Sequence, residues 1–160
     1  MPNRNEALFG PAGNCEAFYA AGHKSTVQVF GWLRAQGLTA YEYQCGRGVR
    51  VSADAAAAIR RAAGENGIAV SVHAPYFISL ASAEEEKRDN SIRYILDSAR
   101  AVDAMGGDRI VVHPGGLGGR SRAEATAIAC DTLVRAQAAL DENGLGGVHI
   151  CPEVMGKMNQ

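Results

Sequence analysis

The chain has 160 residues, of which 47% are hydrophobic and 21% charged, and its formal net charge at pH 7 is −1. This composition describes one soluble globular domain. No run approaches the roughly 20 apolar residues of a membrane span, and the first ten residues lack a signal peptide's apolar stretch, so we expect a cytoplasmic protein. The balanced charge gives no overall footprint for nucleic acid, although a local basic rim is enough to contact phosphates.

Strand patterns and helix patterns alternate along the chain. The predicted strands cover residues 8–10, 41–44, 68–73, 109–113 and 148–153. The predicted helices cover residues 26–35, 53–63, 82–106 and 121–140, and the last three begin at the N-cap serines Ser52, Ser82 and Ser121. Alternation of this kind indicates parallel strands with helices packed outside them.

Three ligand-type residues end consecutive predicted strands: His73, His113 and Glu153, spaced 40 residues apart. Because one βα unit occupies roughly 30 residues or more, each of the three sits at the same end of its own unit. Strand alternation also places all three on one face of the sheet, opposite a β-branched face that suits packing under helices. A single histidine at a strand end is more often a core residue, but three that agree in depth and face favour a metal site. Two imidazoles and a carboxylate form a common catalytic zinc set.

The strand count sets the expected architecture. Five strands do not close a barrel, whereas eight do. We therefore expect residues 1–160 to be the N-terminal part of a single (β/α)8 TIM-barrel domain, an incomplete barrel of about five strands and four helices. The open edges require completion, either by continuation of the chain or by a second copy.

Three strand-end motifs carry a family resemblance. The first is His73-Ala74-Pro75-Tyr76, the second is Val111-Val112-His113-Pro114-Gly115, and the third is Cys151-Pro152-Glu153-Val154-Met155-Gly156-Lys157. Together they resemble the endonuclease IV family of zinc-dependent abasic-site DNA repair endonucleases, over roughly residues 8 to 160 but only the first part of that family's barrel. The chain departs from the family where Gly10 is followed by Pro11 and Ala12, since the family's first strand often ends in glycine-serine-histidine.

The resemblance implies a zinc site and a DNA-contacting loop. It implies a barrel of the endonuclease IV and xylose isomerase-like type with up to three zinc ions, held in part by His73, His113 and Glu153. Glu153 is implied to bridge two zincs and so to act in catalysis, and Tyr76 to enter DNA at the lesion. The remaining zinc ligands are implied to come from the second half of the barrel, so we expect the 160-residue chain alone to be essentially inactive.

The residues around these motifs add further candidates for DNA binding. Tyr76 and Phe77 are predicted to follow a ligand-bearing strand, where insertion into a DNA stack competes with packing between helices. Arg47 and Arg50 are predicted to lie in the loop after the second strand, where contact with phosphates and simple solvation are equally good interpretations.

The leading hypothesis is a zinc-dependent DNA repair endonuclease that cuts the phosphodiester 5′ to an abasic site in double-stranded DNA, using zinc-bound hydroxide. A divalent-metal-dependent sugar isomerase or epimerase on a similar barrel is the alternative enzyme. The third hypothesis is a non-enzymatic half-barrel that assembles with a partner chain.

Overall fold

The structure, a computed structural model, describes residues 7–156, so Lys157, the last residue of the third motif, lies outside the described residues. Its sheet contains four strands: β1 (Ala40–Gln44), β2 (Ala69–His73), β3 (Arg109–Val112) and β4 (His149–Pro152). The strands are ordered β1-β2-β3-β4, and every neighbouring pair is parallel. The predicted βα alternation is thus confirmed as one wall of a barrel.

Helices connect and cover these strands. They are α1 (Glu16–Ala20), α2 (Val29–Ala35), α3 (Ala53–Asn66), α4 (Glu85–Ala104) and α5 (Arg122–Glu142). A 3-10 turn over Thr26–Gln28 precedes α2. The short α1 was not predicted, because five residues give too brief a pattern to recognise. In the part of the chain that the structure describes, no helix has both the length and the apolar character needed to cross a membrane.

Two of the three predicted N-cap serines are confirmed. Ser52 Oγ accepts a hydrogen bond from the Ala55 amide at the start of α3, and Ser121 forms a reciprocal capping box with Glu124 at the start of α5. The prediction for Ser82 is wrong, since α4 begins three residues later. Ser82 Oγ instead accepts from the Glu84 amide at 3.2 Å and closes the turn before the helix.

The predicted first strand, residues 8–10, is not a regular strand. The segment nevertheless runs parallel to β1: the Ala40 amide donates to the Phe9 carbonyl at 3.0 Å, and the Glu42 amide donates to the Pro11 carbonyl at 3.1 Å. Pro11 has no N–H to continue the ladder. Gly10 lies so close to β1 that an added Cβ would be 1.6 Å from the Ala40 carbonyl oxygen. The expected five strands are therefore four regular strands and one irregular edge segment.

The two faces of the sheet differ as predicted. The face toward the helices is apolar and buried, and it contributes Tyr41, Val70, Val72, Ile110 and Val112 to the core. The opposite, inner face carries the ligand-type residues. At the ends of the strands on this face, Gln44 and Glu153 are exposed, and His73 and His113 are partly buried.

Candidate metal centre

The structure brings His73, His113 and Glu153 together on the inner face. His73 Nε2 and His113 Nε2 are 3.0 Å apart. Glu153 Oε2 lies 3.5 Å from the former atom and 3.1 Å from the latter. The two imidazoles are partly buried, whereas half of the Glu153 side chain is exposed. The three residues form the one group in the described part of the chain whose donor atoms could hold a metal ion.

These donor atoms fit a zinc ion. The three atoms are 3.0, 3.1 and 3.5 Å apart, so they lie on a circle with a radius of about 1.9 Å. An ion roughly 1 Å above their plane would be about 2.1 Å from each atom, which is the usual Zn–N and Zn–O distance. Two neutral nitrogens and one carboxylate oxygen also match the donor set of catalytic zinc sites, which leave a fourth position for water or substrate.

The hydrogen bonding of Nδ1 determines whether the Nε2 atom of each imidazole can bind a metal. His73 Nδ1 lies 2.9 Å from the Ala74 carbonyl oxygen. Since a carbonyl only accepts, Nδ1 carries the proton, and the lone pair of Nε2 faces the site. His113 Nδ1 is buried and has no hydrogen-bond partner among residues 7–156. Metal-bound histidines usually donate this N–H to a carbonyl or carboxylate, and among residues 7–156 His113 lacks such an acceptor.

The sheet register differs from the expected equal depth of the three ligands. His73 pairs with Val111, and Val111 pairs with Cys151. His73 therefore lies two residues earlier in the register than His113 and Glu153. A shift of two residues keeps every side chain on the same face, and barrel strands are staggered because they tilt. The ligands meet along a diagonal of the sheet rather than along one row.

The loop after β2 holds Tyr76 and Phe77 outward, with 56% and 53% of these residues exposed. The rest of the loop is fixed in the core. Leu80 is fully buried, its amide donates to the Pro114 carbonyl at 2.9 Å, and the Thr132 hydroxyl of α5 donates to the Leu80 carbonyl at 2.8 Å. The exposed aromatic pair is thus presented by an anchored loop that begins directly after a ligand-type residue.

The two candidate arginines have different positions. Arg47 Nε donates to the Tyr76 hydroxyl at 3.1 Å, and the Tyr76 amide donates to the Gly46 carbonyl at 3.3 Å. Arg47 therefore lies at the edge of the aromatic pair. Arg50 is exposed and makes no hydrogen bond or ion pair with any described residue, so its contact with phosphate stays a prediction.

Sequence reasoning missed one polar residue beside the site. Gln44 ends β1 on the inner face, directly opposite His73 in the register. Its Nε2 donates to Glu42 Oε1 at 2.8 Å, which fixes the orientation of the amide. The available signal was strand parity, since Gln44 occupies the same face and the same end of its strand as the ligand-type residues.

Comparison with known proteins places these features in a family. The family model described as xylose isomerase-like TIM barrel matches residues 30–160. An uncharacterised protein of Methanocaldococcus jannaschii is 40% identical over 83 residues, which are 52% of this chain and 29% of that protein. A probable endonuclease 4 of Mycoplasmoides gallisepticum is 41% identical over 44 residues, which are 28% of this chain and 14% of that protein.

Solved structures share the fold. Endonuclease IV from Thermus thermophilus superposes with a TM-score of 0.59 at 22% identity, over 83% of this chain and 49% of that chain. D-psicose 3-epimerase from Clostridium cellulolyticum superposes with a TM-score of 0.67 at 16% identity, over 86% and 50%. A zinc-soaked protein of Thermus thermophilus gives a TM-score of 0.59 at 25% identity, over 79% and 51%. The chain spans about half the length of these structures and less than a third of the two curated relatives.

Proposed function

The chain belongs to the xylose isomerase-like TIM barrel family, and from this premise we propose that the protein is a zinc-dependent DNA repair endonuclease that hydrolyses the phosphodiester 5′ to an abasic site. One observation carries the choice of substrate. The anchored loop that leaves His73 exposes Tyr76 and Phe77 side by side, with the Arg47 guanidinium bonded to the Tyr76 hydroxyl. An exposed aromatic pair and a cation beside a zinc-type donor set suit a nucleic acid with a gap in its base stack.

The three donor residues would hold the metal. His73 Nε2, His113 Nε2 and Glu153 Oε2 all face one point, and the Ala74 carbonyl keeps the His73 ring in the orientation that binding requires. When bound, zinc supplies a water activated at neutral pH and positive charge beside the oxygens of the displaced phosphodiester. Glu153, which is half exposed at the edge of the sheet, is the donor best placed to be shared with a second ion.

The aromatic loop would recognise the lesion. Apolar side chains that enter a duplex unstack neighbouring bases at a cost of a few kcal/mol per step, and this cost is smaller where a base is already missing. Tyr76 and Phe77 are held outward before DNA arrives, so little ordering is needed on binding. Arg47 lies where it would contact a phosphate beside the inserted ring.

The similarity to proteins named endonuclease 4 supports this proposal from an independent direction. The relatives from Mycoplasmoides gallisepticum and from Acholeplasma laidlawii are both named as probable endonuclease 4. Because this chain spans only 14% and 19% of their lengths, the activity of the whole protein is part of the proposal.

A sugar epimerase is the second candidate. The epimerase from Clostridium cellulolyticum superposes with a higher TM-score than the endonuclease does, 0.67 against 0.59. The same two imidazoles and carboxylate would hold a divalent cation for either reaction. The exposed Tyr76–Phe77 pair distinguishes the candidates, because a small sugar needs an enclosing pocket rather than an outward aromatic pair.

The deciding experiment compares substrates for the full-length protein loaded with zinc. The substrates are a duplex with one abasic site, the same duplex without the lesion, and a set of ketoses. We expect a nick 5′ to the abasic site, no cleavage of the undamaged duplex and no change in the sugars. Epimerisation of a ketose without cleavage of the abasic duplex would assign the protein to the second candidate.

A further inference from the structure

Three aromatic rings form a continuous strip that extends beyond the loop onto α4. The Tyr76 and Phe77 ring centroids are 5.2 Å apart, and the Phe77 and Tyr94 centroids are 6.1 Å apart. The strip has a guanidinium at each end: Arg47 bonds to the Tyr76 hydroxyl, and Arg93 Cζ lies 6.0 Å from the Tyr94 ring centroid. We call these five side chains the aromatic strip.

The strip is supported from beneath. Tyr94 is partly buried and packs against the hydrophobic core, while Phe77, whose ring neighbours the Tyr94 ring, stays half exposed. The loop is also tied to α4, because the Ser79 amide donates to Ser91 Oγ at 3.0 Å. The spacing between loop and helix is therefore held by core packing and a hydrogen bond.

Arg93 carries a charge that no described residue balances. The two carboxylates one turn away on α4 are occupied by other arginines: Asp89 pairs with Arg135, and Asp97 pairs with Arg100. Arg93 itself is exposed and has no ion-pair partner within residues 7–156. The Arg93 end of the strip therefore presents an unpaired positive charge to solvent.

From this arrangement we propose that the aromatic strip is a DNA-contact surface that continues past the lesion, with Arg93 binding a backbone phosphate and Tyr94 holding the adjoining sugar or base. The inference rests on the proposed endonuclease function and extends its footprint onto α4. The phosphates of a DNA backbone can bind the guanidinium groups at both ends of the strip, and the exposed Tyr76 and Phe77 rings between them offer stacking faces that every base can use.

The test measures affinity and its salt dependence in the full-length, zinc-loaded protein. The probe is an abasic duplex with an uncleavable methylphosphonate at the scissile position. Arg93→Ala is compared with Arg61→Ala, which replaces another exposed arginine, in α3. Loss of one phosphate contact makes the plot of log K against log salt less steep by about 0.9. We expect that change for Arg93→Ala and none for Arg61→Ala.

A second arm locates the contact along the DNA. The same duplex is shortened stepwise from either end. In the series shortened from the end that lies over α4, we expect Arg93→Ala and the wild type to bind equally once the duplex no longer reaches α4. In the series shortened from the opposite end, we expect their affinities to differ at every length. Tyr94→Leu is expected to weaken binding about fivefold or more at full length. Its zinc content and circular dichroism report whether that loss comes from misfolding.

The outcomes separate this inference from the function on which it rests. If the wild type binds and cuts abasic DNA but Arg93→Ala keeps the wild-type salt slope at every duplex length, the strip proposal is overturned. If the wild type neither binds nor cuts abasic DNA, the proposed function itself fails. A reduced slope that appears with Arg93→Ala but not with Arg61→Ala, and that disappears only when the duplex is shortened on the side that reaches α4, supports the strip.

Discussion

His73 Nε2 lies 3.0 Å from His113 Nε2, although the sheet register pairs His73 with Val111. The lone pair of His73 Nε2 faces its neighbour because the proton of that ring is on Nδ1, bonded to the Ala74 carbonyl. Two imidazole nitrogens that face each other at this distance require a proton or a metal cation between or beside them. Glu153 Oε2, 3.1 Å from His113 Nε2, adds the negative charge that favours a cation.

Replacement of His113 tests the metal centre. We expect His113→Ala in the full-length protein to lose at least one zinc per chain and to reduce cleavage by more than about 100-fold. Mutation of residues that only hydrogen-bond to a metal ligand already lowers metal affinity or activity by about 10- to 100-fold. Zinc content, abasic-duplex cleavage and circular dichroism are measured together. His23→Ala is the control, because His23 stacks on Phe18 and does not belong to the group of donor atoms. Full zinc content with normal turnover in the His113 variant would refute the assignment.

Replacement of Tyr76 tests the lesion-recognition loop. An aromatic ring stacked on a base contributes about 1–3 kcal/mol, so Tyr76→Ala should weaken binding to an abasic duplex roughly 5- to 150-fold. Its zinc content should not change. Phe9→Ala is the matched control, because Phe9 is 68% exposed and lies beside the first residue of β1, at the opposite end of the strands. Unchanged affinity would mean that Tyr76 only packs the loop.

The metal content of the 160-residue chain tests whether further ligands come from elsewhere. The described residues offer three donors that converge on one point. We therefore expect one zinc per chain at most to resist dialysis and no measurable cleavage of abasic duplex. Mass spectrometry of the native protein gives the metal count and the oligomeric state together. Robust cleavage by a monomer would show that the described wall of the barrel is sufficient.

The buried thiol of Cys45 predicts a pH dependence of stability. Burial raises the pKa of Cys45 from 9.0 to about 11. The unfolded chain therefore loses this proton first, so the free energy of unfolding should fall by about 2 kcal/mol as the pH rises from 9 to 11, with no contribution below pH 9. Urea unfolding of the wild type and Cys45→Ala across this range measures the difference in slope.

Cys130, which is exposed on α5, is the control for Cys45. Cys130→Ala should keep the wild-type pH dependence, and iodoacetamide at pH 8 should modify Cys130 but not Cys45 in the folded protein. Equal slopes for the wild type and Cys45→Ala between pH 9 and 11 would show that Cys45 does not titrate as its burial predicts.

Local sequence patterns determined much of the site. Alternation along each strand assigned Val70 and Val72 to the helix-facing side and His73 to the inner side, because successive side chains on a strand point in opposite directions. Serine caps indicated the starts of α3 and α5, because each serine side chain accepts a hydrogen bond from an amide three residues later. These signals depend on neighbours a few residues apart, which are all present in the sequence.

Contacts between distant segments were decided only by the tertiary structure. The two-residue stagger between His73 and His113 follows from the tilt of packed strands, which the equal spacing in the chain does not reveal. The segment at Gly10 approaches Ala40 closely, and the aromatic strip exists because α4 places Tyr94 beside Phe77. The sequence alone placed His73, His113 and Glu153 on one face of the sheet. Packing determined how far apart they lie, because distances between strands and helices depend on the shapes of side chains that meet across the core.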